Sequence, residues 1–211
     1  QLLVDATIYC HCYIDKSFYL SNAGFGIRTL FKNCTFDTFE TNNCGFHRLV
    51  KFENCKFLRG LYLIQNNYKT ALYFDGCTFC KNGEVKIENC NFLKHYPGHF
   101  SITNCVFHCA FSLKGCNFYG NFDIHDTSFF NNFNFSDITF NPENVSISNI
   151  LFNQGKNIEN SKKILVKILR KNKLNQIIKT LGLSNELKEN TNANFDYDAY
   201  QVAYNSGFLK P

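Results

Sequence analysis

Between Phe111 and Phe140 the apolar or small residues fall at 111, 113, 116, 118, 122, 124, 127, 129, 133, 135, 138 and 140. The steps run two, three, two, four, and then repeat. A step of two puts both side chains on one face of an extended segment. A step of three or four turns a corner. The unit is therefore 11 residues with two such pairs, a period that no helix and no ordinary long strand produces.

The same rhythm extends in both directions. Upstream lie Phe100/Ile102 with Cys105/Phe107, Val85/Ile87 with Cys90/Phe92, Leu72/Phe74 with Cys77/Phe79, and Leu61/Leu63 with Asn66/Tyr68. Before them come Val50/Phe52 with Cys55/Phe57, Phe39/Thr41 with Cys44/Phe46, Thr29/Phe31 with Cys34/Phe36, and Phe18/Leu20 with Ala23/Phe25. A fainter pair, Cys12/Ile14, starts the series near Thr7, and Val145/Ile147 with Ile150/Phe152 closes it. Two insertions, around Lys81-Asn82-Gly83 and from Lys94 to Gly98, have turn chemistry and read as loops at corners. Segments with two inward residues bury nothing alone. Wound as a coil and stacked, they share one continuous core. Four pairs close a square coil of 22 residues, and pairing between coils sets a rise of about 4.8 Å.

Runs such as Phe52-Glu-Asn-Cys-Lys-Phe57, Phe74-Asp-Gly-Cys-Thr-Phe79 and Phe135-Ser-Asp-Ile-Thr-Phe140 resemble the pentapeptide-repeat family, in its variant with an 11-residue motif. The resemblance covers about two-thirds of the chain. It implies an all-β solenoid, a right-handed quadrilateral β-helix. Departures from the commoner family form are a unit that averages slightly longer than a pentapeptide and the dominance of Phe. A three-sided β-helix of the polysaccharide-lyase type ranks second.

The slot two residues before the second Phe holds Cys12, Ala23, Cys34, Cys44, Cys55, Asn66, Cys77, Cys90, Cys105, Cys116, Thr127, Ile138 and Ile150. A coil cross-section of fixed volume needs a small residue beside a Phe, and free Cys behaves as a small buried hydrophobe. Disulfides along a parallel stack conflict with the right-angled geometry of the bond, so reduced thiols are expected. Cys10-His11-Cys12, Cys77 with Cys80, and His108-Cys109 look like metal-ligand fragments but lack four convergent donors. The expectation is no metal and no cofactor. The residue before the small slot is Asn33, Asn43, Asn54, Asn89 or Asn104, with Gly76, Gly115, Asp126 and Asp137 as replacements. These are corner residues that tolerate a left-handed backbone.

Catalysis requires convergent acid, base or nucleophile. Asp123, His125 and Asp126 are neighbours, and the first two alternate with inward Phe122 and Ile124. They read as a solvated wall, and the six His (11, 47, 95, 99, 108, 125) share no spacing. No phosphate-binding loop, dinucleotide fingerprint or nucleophile elbow is present. The expected answer is a non-enzyme.

After Phe152 the period becomes helical, with Ile164, Leu165, Ile168 and Leu169, then Leu174, Ile177, Ile178 and Leu181. Two or three short helices are expected, with Gly182 as a stop and Ser184 as a new N-cap. The chain thus divides into a β-helix over 1–152, a basic helical capping segment over 153–190 and an aromatic tail over 191–211. Net charge is +5 overall, yet 1–152 is neutral with 12 basic and 12 acidic residues, and 153–190 carries 9 basic against 3 acidic. The tail places aromatics at 195, 197, 200, 204 and 208.

These charges make Lys162, Lys163, Lys167, Arg170, Lys171 and Lys173 the candidate interaction surface. Its expected partner is a protein. Homodimerisation through this C-terminal end and direct nucleic-acid binding by the basic helices are lesser expectations. So are two alternatives in function. The family resemblance implies a DNA-mimicking topoisomerase (gyrase) binder, which a neutral solenoid fits poorly. The three-sided fold implies a carbohydrate-active enzyme. No apolar run reaches 18 residues, so no transmembrane helix is expected. The odd count of 11 Cys points to a reducing, cytoplasmic setting, with secretion left open because the chain does not begin at Met.

The slot assignment has a sharp test. Cys116→Asp places an unpaired charge in a core position. Denaturant titration is expected to show the fold lost or its midpoint greatly reduced. A variant as stable as the parent would contradict the placement.

Overall fold

The computed structural model describes residues 6–93, 98–153 and 156–184. The chain forms a β-solenoid of about six coils, with a small helical segment at its C-terminal end. Among the described residues all strand pairs are parallel, and they form four ladders, one per wall.

The first wall runs from Ala6–Cys10 through Arg28–Lys32, Val50–Glu53, Ala71–Asp75 and His99–Thr103 to residues 122–125 and 145–148. The second carries Phe36, Phe57, Phe79, Phe107 and Phe129 in register. On the third, Phe39, Leu61, Val85, Phe111 and Phe133 are aligned. The fourth aligns Phe25, Phe46, Tyr68, Phe92, Phe118 and Phe140. Thr7 pairs with Thr29 and Val50 with Leu72, one regular coil apart in both cases. Leu72 pairs with Phe100, farther along the chain than a regular coil reaches, because that coil contains both insertions. Residues 81–82 form a turn. Residues 94–97 of the second insertion lie outside the described residues.

Stacking registers the coils. On the first wall the ring centroids of Tyr9, Phe31, Phe52 and Phe74 follow at 5.0, 5.0 and 5.1 Å. On the fourth, those of Phe25, Phe46, Tyr68, Phe92 and Phe118 follow at 4.9, 4.9, 4.8 and 4.7 Å. These distances match the strand spacing of a sheet, so each ring sits directly on its predecessor. Aromatic pairs contribute about 0.5–1.5 kcal/mol each beyond burial. Rings from adjacent walls meet edge-on, as Phe36 and Phe39 do at 5.3 Å and 83°.

The small slot is inward and buried at Cys34, Cys44, Cys55, Cys77, Cys90, Cys105 and Cys116. All eleven cysteines carry free thiols. The inward thiols donate weakly to strand carbonyls of the coil below. Cys90 Sγ lies 3.2 Å from the Leu63 oxygen and Cys116 Sγ 3.3 Å from the Ile87 oxygen, each one coil below. Burial pushes the Cys34 thiol up to about 11, which leaves it protonated and unreactive near neutrality. Asn66 occupies the same slot by a different route. Its amide donates to Thr41 Oγ1 at 2.7 Å, and its oxygen accepts from the Cys44 backbone at 2.9 Å. Two polar inward residues thus satisfy each other inside the core.

Corner residues Asn33, Asn43, Asn54, Asn89, Asn104, Asp126 and Asp137 have φ between 50° and 54°, and Gly76 and Gly115 have φ of 65° and 62°. His11, Asn22, Gln65 and Asn149 occupy the same slot at 55°, 52°, 55° and 51°. Left-handed backbone is common for Asn, Asp and Gly and costly for most side chains.

The helical segment departs from the expectation of short helices. α1, Lys156–Lys171, is a single helix of 16 residues, and among the described residues α2, Asn175–Thr180, is the short one. The continuous stripe of Ser161, Ile164, Leu165 and Leu169 is buried, and burial against one flat coil end favours an unbroken helix. Glu159 in its first turn and Arg170 and Lys171 in its last complement the helix dipole. α1 ends where Lys173 takes φ 60° and Asn172 Nδ2 caps the Ile168 carbonyl at 2.9 Å. Gly182, with φ 69°, sits two residues beyond α2. The Ser184 cap and the tail aromatics concern structure outside the described residues.

α1 packs on the last strand of the third wall, Phe133–Ser136, and α2 on the last strand of the first two walls, Val145–Phe152. Ser161 Oγ accepts a hydrogen bond from the Phe133 backbone at 3.1 Å. That bond satisfies an edge donor that solenoid ends otherwise leave open. At the opposite end the first coil is less covered. Tyr9 is 44% exposed, and Phe18 and Phe25 are half-buried.

Corner strain is testable at Gln65, which is exposed. Gln65→Gly is expected to raise unfolding stability by up to about 1 kcal/mol, and Gln65→Val to lower it, read from denaturant midpoints. Equal midpoints for all three proteins would show that the corner carries no backbone strain.

Candidate functional site

The six basic residues of the cap do not behave alike. Lys163, Arg170, Lys171 and Lys173 are exposed and Lys167 is half-buried. Lys163, Lys167 and Arg170 follow at four and three residues, so they share one stripe of α1. Lys162 is separated from them. Its ammonium binds Glu159 at 2.7 Å and lies 5.7 Å from the centre of the Phe152 ring. The outward stripe therefore starts at Lys163, and exposed Lys179 of α2 adds to the same segment.

An amphipathic basic helix has two uses for its apolar face: insertion into a membrane surface or packing on protein. Here Ile164, Leu165, Val166 and Leu169 are buried within the protein. The stripe is left with electrostatic contact alone. No helix among the described residues is long and apolar enough to cross a membrane.

The first wall carries the second concentration of charge. Lys32 binds Glu53 at 2.7 Å, and Lys51 bridges Glu53 and Asp75 at 3.1 Å to each. Asn104 Nδ2 donates to Asp75 at 3.2 Å. Hydrogen bonds from Lys32 and Lys51 hold the Glu53 carboxyl below its ordinary range. Burial pushes Asp75 up, but hydrogen bonds from Asn104 and Lys51 outweigh it, and the net shift is down. Side chains from four successive coils are thereby fixed at the coil spacing.

Further along this wall the sequence neighbours Asp123, His125 and Asp126 do not converge. Asp123 binds His99. His125 Nδ1 lies 2.7 Å from Ser148 Oγ. Asp126 is at a corner and accepts from Asn149 at 3.0 Å. His99 is hidden in the sequence because the preceding insertion obscures its register. The enlarged coil places it on the outward side, between Tyr73 of the coil below and Asp123 of the coil above.

Elsewhere, Cys10 is exposed and Cys12 half-buried, with His11 at the left-handed corner between them. His108 stacks on Phe130 at 5.1 Å. Among the described residues no three His, Cys, Asp or Glu side chains are grouped as metal ligands. The sequence matches no family model and no curated protein.

The wall network has a pH signature. Glu53 and Asp75 have lowered folded-state values, so their contribution is complete above the unfolded carboxylate range of about 4. It is lost as pH falls through the folded values. Stability is expected to drop between about pH 5 and pH 2, and the Glu53→Gln variant to show a shallower drop in thermal midpoint over that interval. Parallel curves would mean that the network adds nothing.

Proposed function

We propose that the chain is a divergent pentapeptide-repeat protein that acts without catalysis, as a protein–protein interaction scaffold docking an acidic partner through its basic cap. The observation that carries this reading is the orientation of α1. Its apolar face is spent on the solenoid, and Lys163, Lys167, Arg170, Lys171 and Lys173 remain on the outside. A rod of stacked coils holds that stripe in a fixed place, so docking loses little conformational freedom. The first wall supports the same reading, because its cross-coil ion pairs leave alternating charge on a stiff surface.

An acidic protein is favoured over nucleic acid because charge is concentrated at one end while the solenoid is neutral. A nucleic-acid backbone is best met by charge along a length of protein.

The test compares the parent chain with Lys163→Glu/Arg170→Glu/Lys171→Glu in quantitative cross-linking from cells, followed by binding to each purified partner. Partners of the parent are expected to be acidic proteins. Their binding is expected to weaken from about 0.1 M to about 1 M salt, where the screening length falls from about 10 to about 3 Å, and to vanish in the variant. An unchanged partner set, or nucleic acid as the retained species, would overturn the proposal.

A further inference from the structure

Three side chains from three successive coils line up across the first wall. Tyr73 Oη lies 2.9 Å from His99 Nδ1, and His99 Nε2 meets the carboxylate of Asp123. Tyr73 registers against Ser101, and Ser101 against Asp123, so tyrosine and aspartate are two coils apart. The imidazole spans the interval and stands edge-on to the Tyr73 ring, with centroids 4.9 Å apart at 89°. In the neutral tautomer that carries its proton on Nε2, the ring donates to Asp123 and its Nδ1 lone pair accepts from the phenol. The order is hydroxyl, imidazole, carboxylate. It is the order in which a base removes the proton of an attacking hydroxyl while a carboxylate holds the ring and stabilises the imidazolium.

We propose that Tyr73 is an acyl-acceptor site, with His99 as its general base and Asp123 as the residue that positions His99. The donor class is an activated acyl compound, such as an aryl ester or an acyl phosphate. Tyr73 Oη forms a bond to the carbonyl carbon as its proton passes to His99 Nδ1. The bond from that carbon to the leaving oxygen then breaks, and the leaving group departs with the electron pair. The product is O-acyl-Tyr73, with no change in oxidation state. A single acylation is proposed, independent of whether a partner docks on the cap.

The surroundings make this dependent on His99. Burial first, and the charge of Asp123 second, raise the Tyr73 phenol above its ordinary value, with Lys51 opposing them. A standing phenolate is therefore disfavoured, and reactivity requires that the proton leave during the step. Tyr13 and Tyr19, 68% and 55% exposed, are more accessible and serve as controls within the same molecule.

The experiment treats the full chain with p-nitrophenyl acetate near neutral pH, follows p-nitrophenolate release and maps acetylated peptides by mass spectrometry. Tyr73 is expected to be acetylated at least about tenfold faster than Tyr13 and Tyr19, a modest share of what general-base assistance supplies. His99→Gln is expected to abolish that excess and Asp123→Asn to reduce it, with circular dichroism confirming the coil in both. Acetylation of Tyr73 no faster than that of the two controls in the parent protein would overturn the proposal without recourse to any variant. So would an excess that survives His99→Gln in a folded protein.

Discussion

The structure depends on ring stacking between coils. A wall segment contributes only two inward side chains per coil, too few to hold a strand in place by itself. Each gains its burial only when the next coil lays an equivalent residue on top. The Phe31–Phe52–Phe74 and Phe46–Tyr68–Phe92 columns show the outcome, with rings nearly parallel and close to a strand spacing apart. Because flat rings fill the cross-section, the neighbouring slot must be small, and Cys at that slot follows from volume rather than from thiol chemistry. The same buried thiols also donate to strand carbonyls of the coil below.

The corners are the second condition. A square coil has to turn sharply without leaving backbone groups unpaired, and one residue in the left-handed region does this at every second corner. Its backbone N–H then continues the ladder, as Asn54 does by donating to the Asp75 carbonyl at 2.8 Å. Asn, Asp and Gly take this conformation readily, so most of the slot is visible from composition. His11 and Gln65 are in the same conformation with residues that do not prefer it. Period alone marks them, because the closure of the coil overrides local preference there.

Legibility follows the same physical line. Inward pairs from Cys12/Ile14 to Ile150/Phe152 are readable because an 11-residue period repeats many times and one strand register fixes the next. Lateral contacts between coils are not. Asn66 with Thr41, and His99 with Tyr73 and Asp123, lie farther apart in sequence than one regular coil. They meet only because two insertions lengthen one coil or because two polar residues share a layer. The cap is readable as helical, but its single long helix is not. Its continuity depends on the flat end it covers, which no local pattern records. Lys162 illustrates the cost of reading charge without geometry, since Glu159 and the Phe152 ring withdraw it from the stripe.

Ser161 has a consequence beyond the stability of one coil. Parallel coils are translationally alike, and a rod built from them is a natural subunit for a filament, each copy adding to the last edge of another. Such growth requires that the last coil present free strand donors in register. Ser161 occupies the Phe133 donor, and α1 lies across that coil. The last strand of the third wall therefore cannot receive a further coil through that donor while α1 is in place.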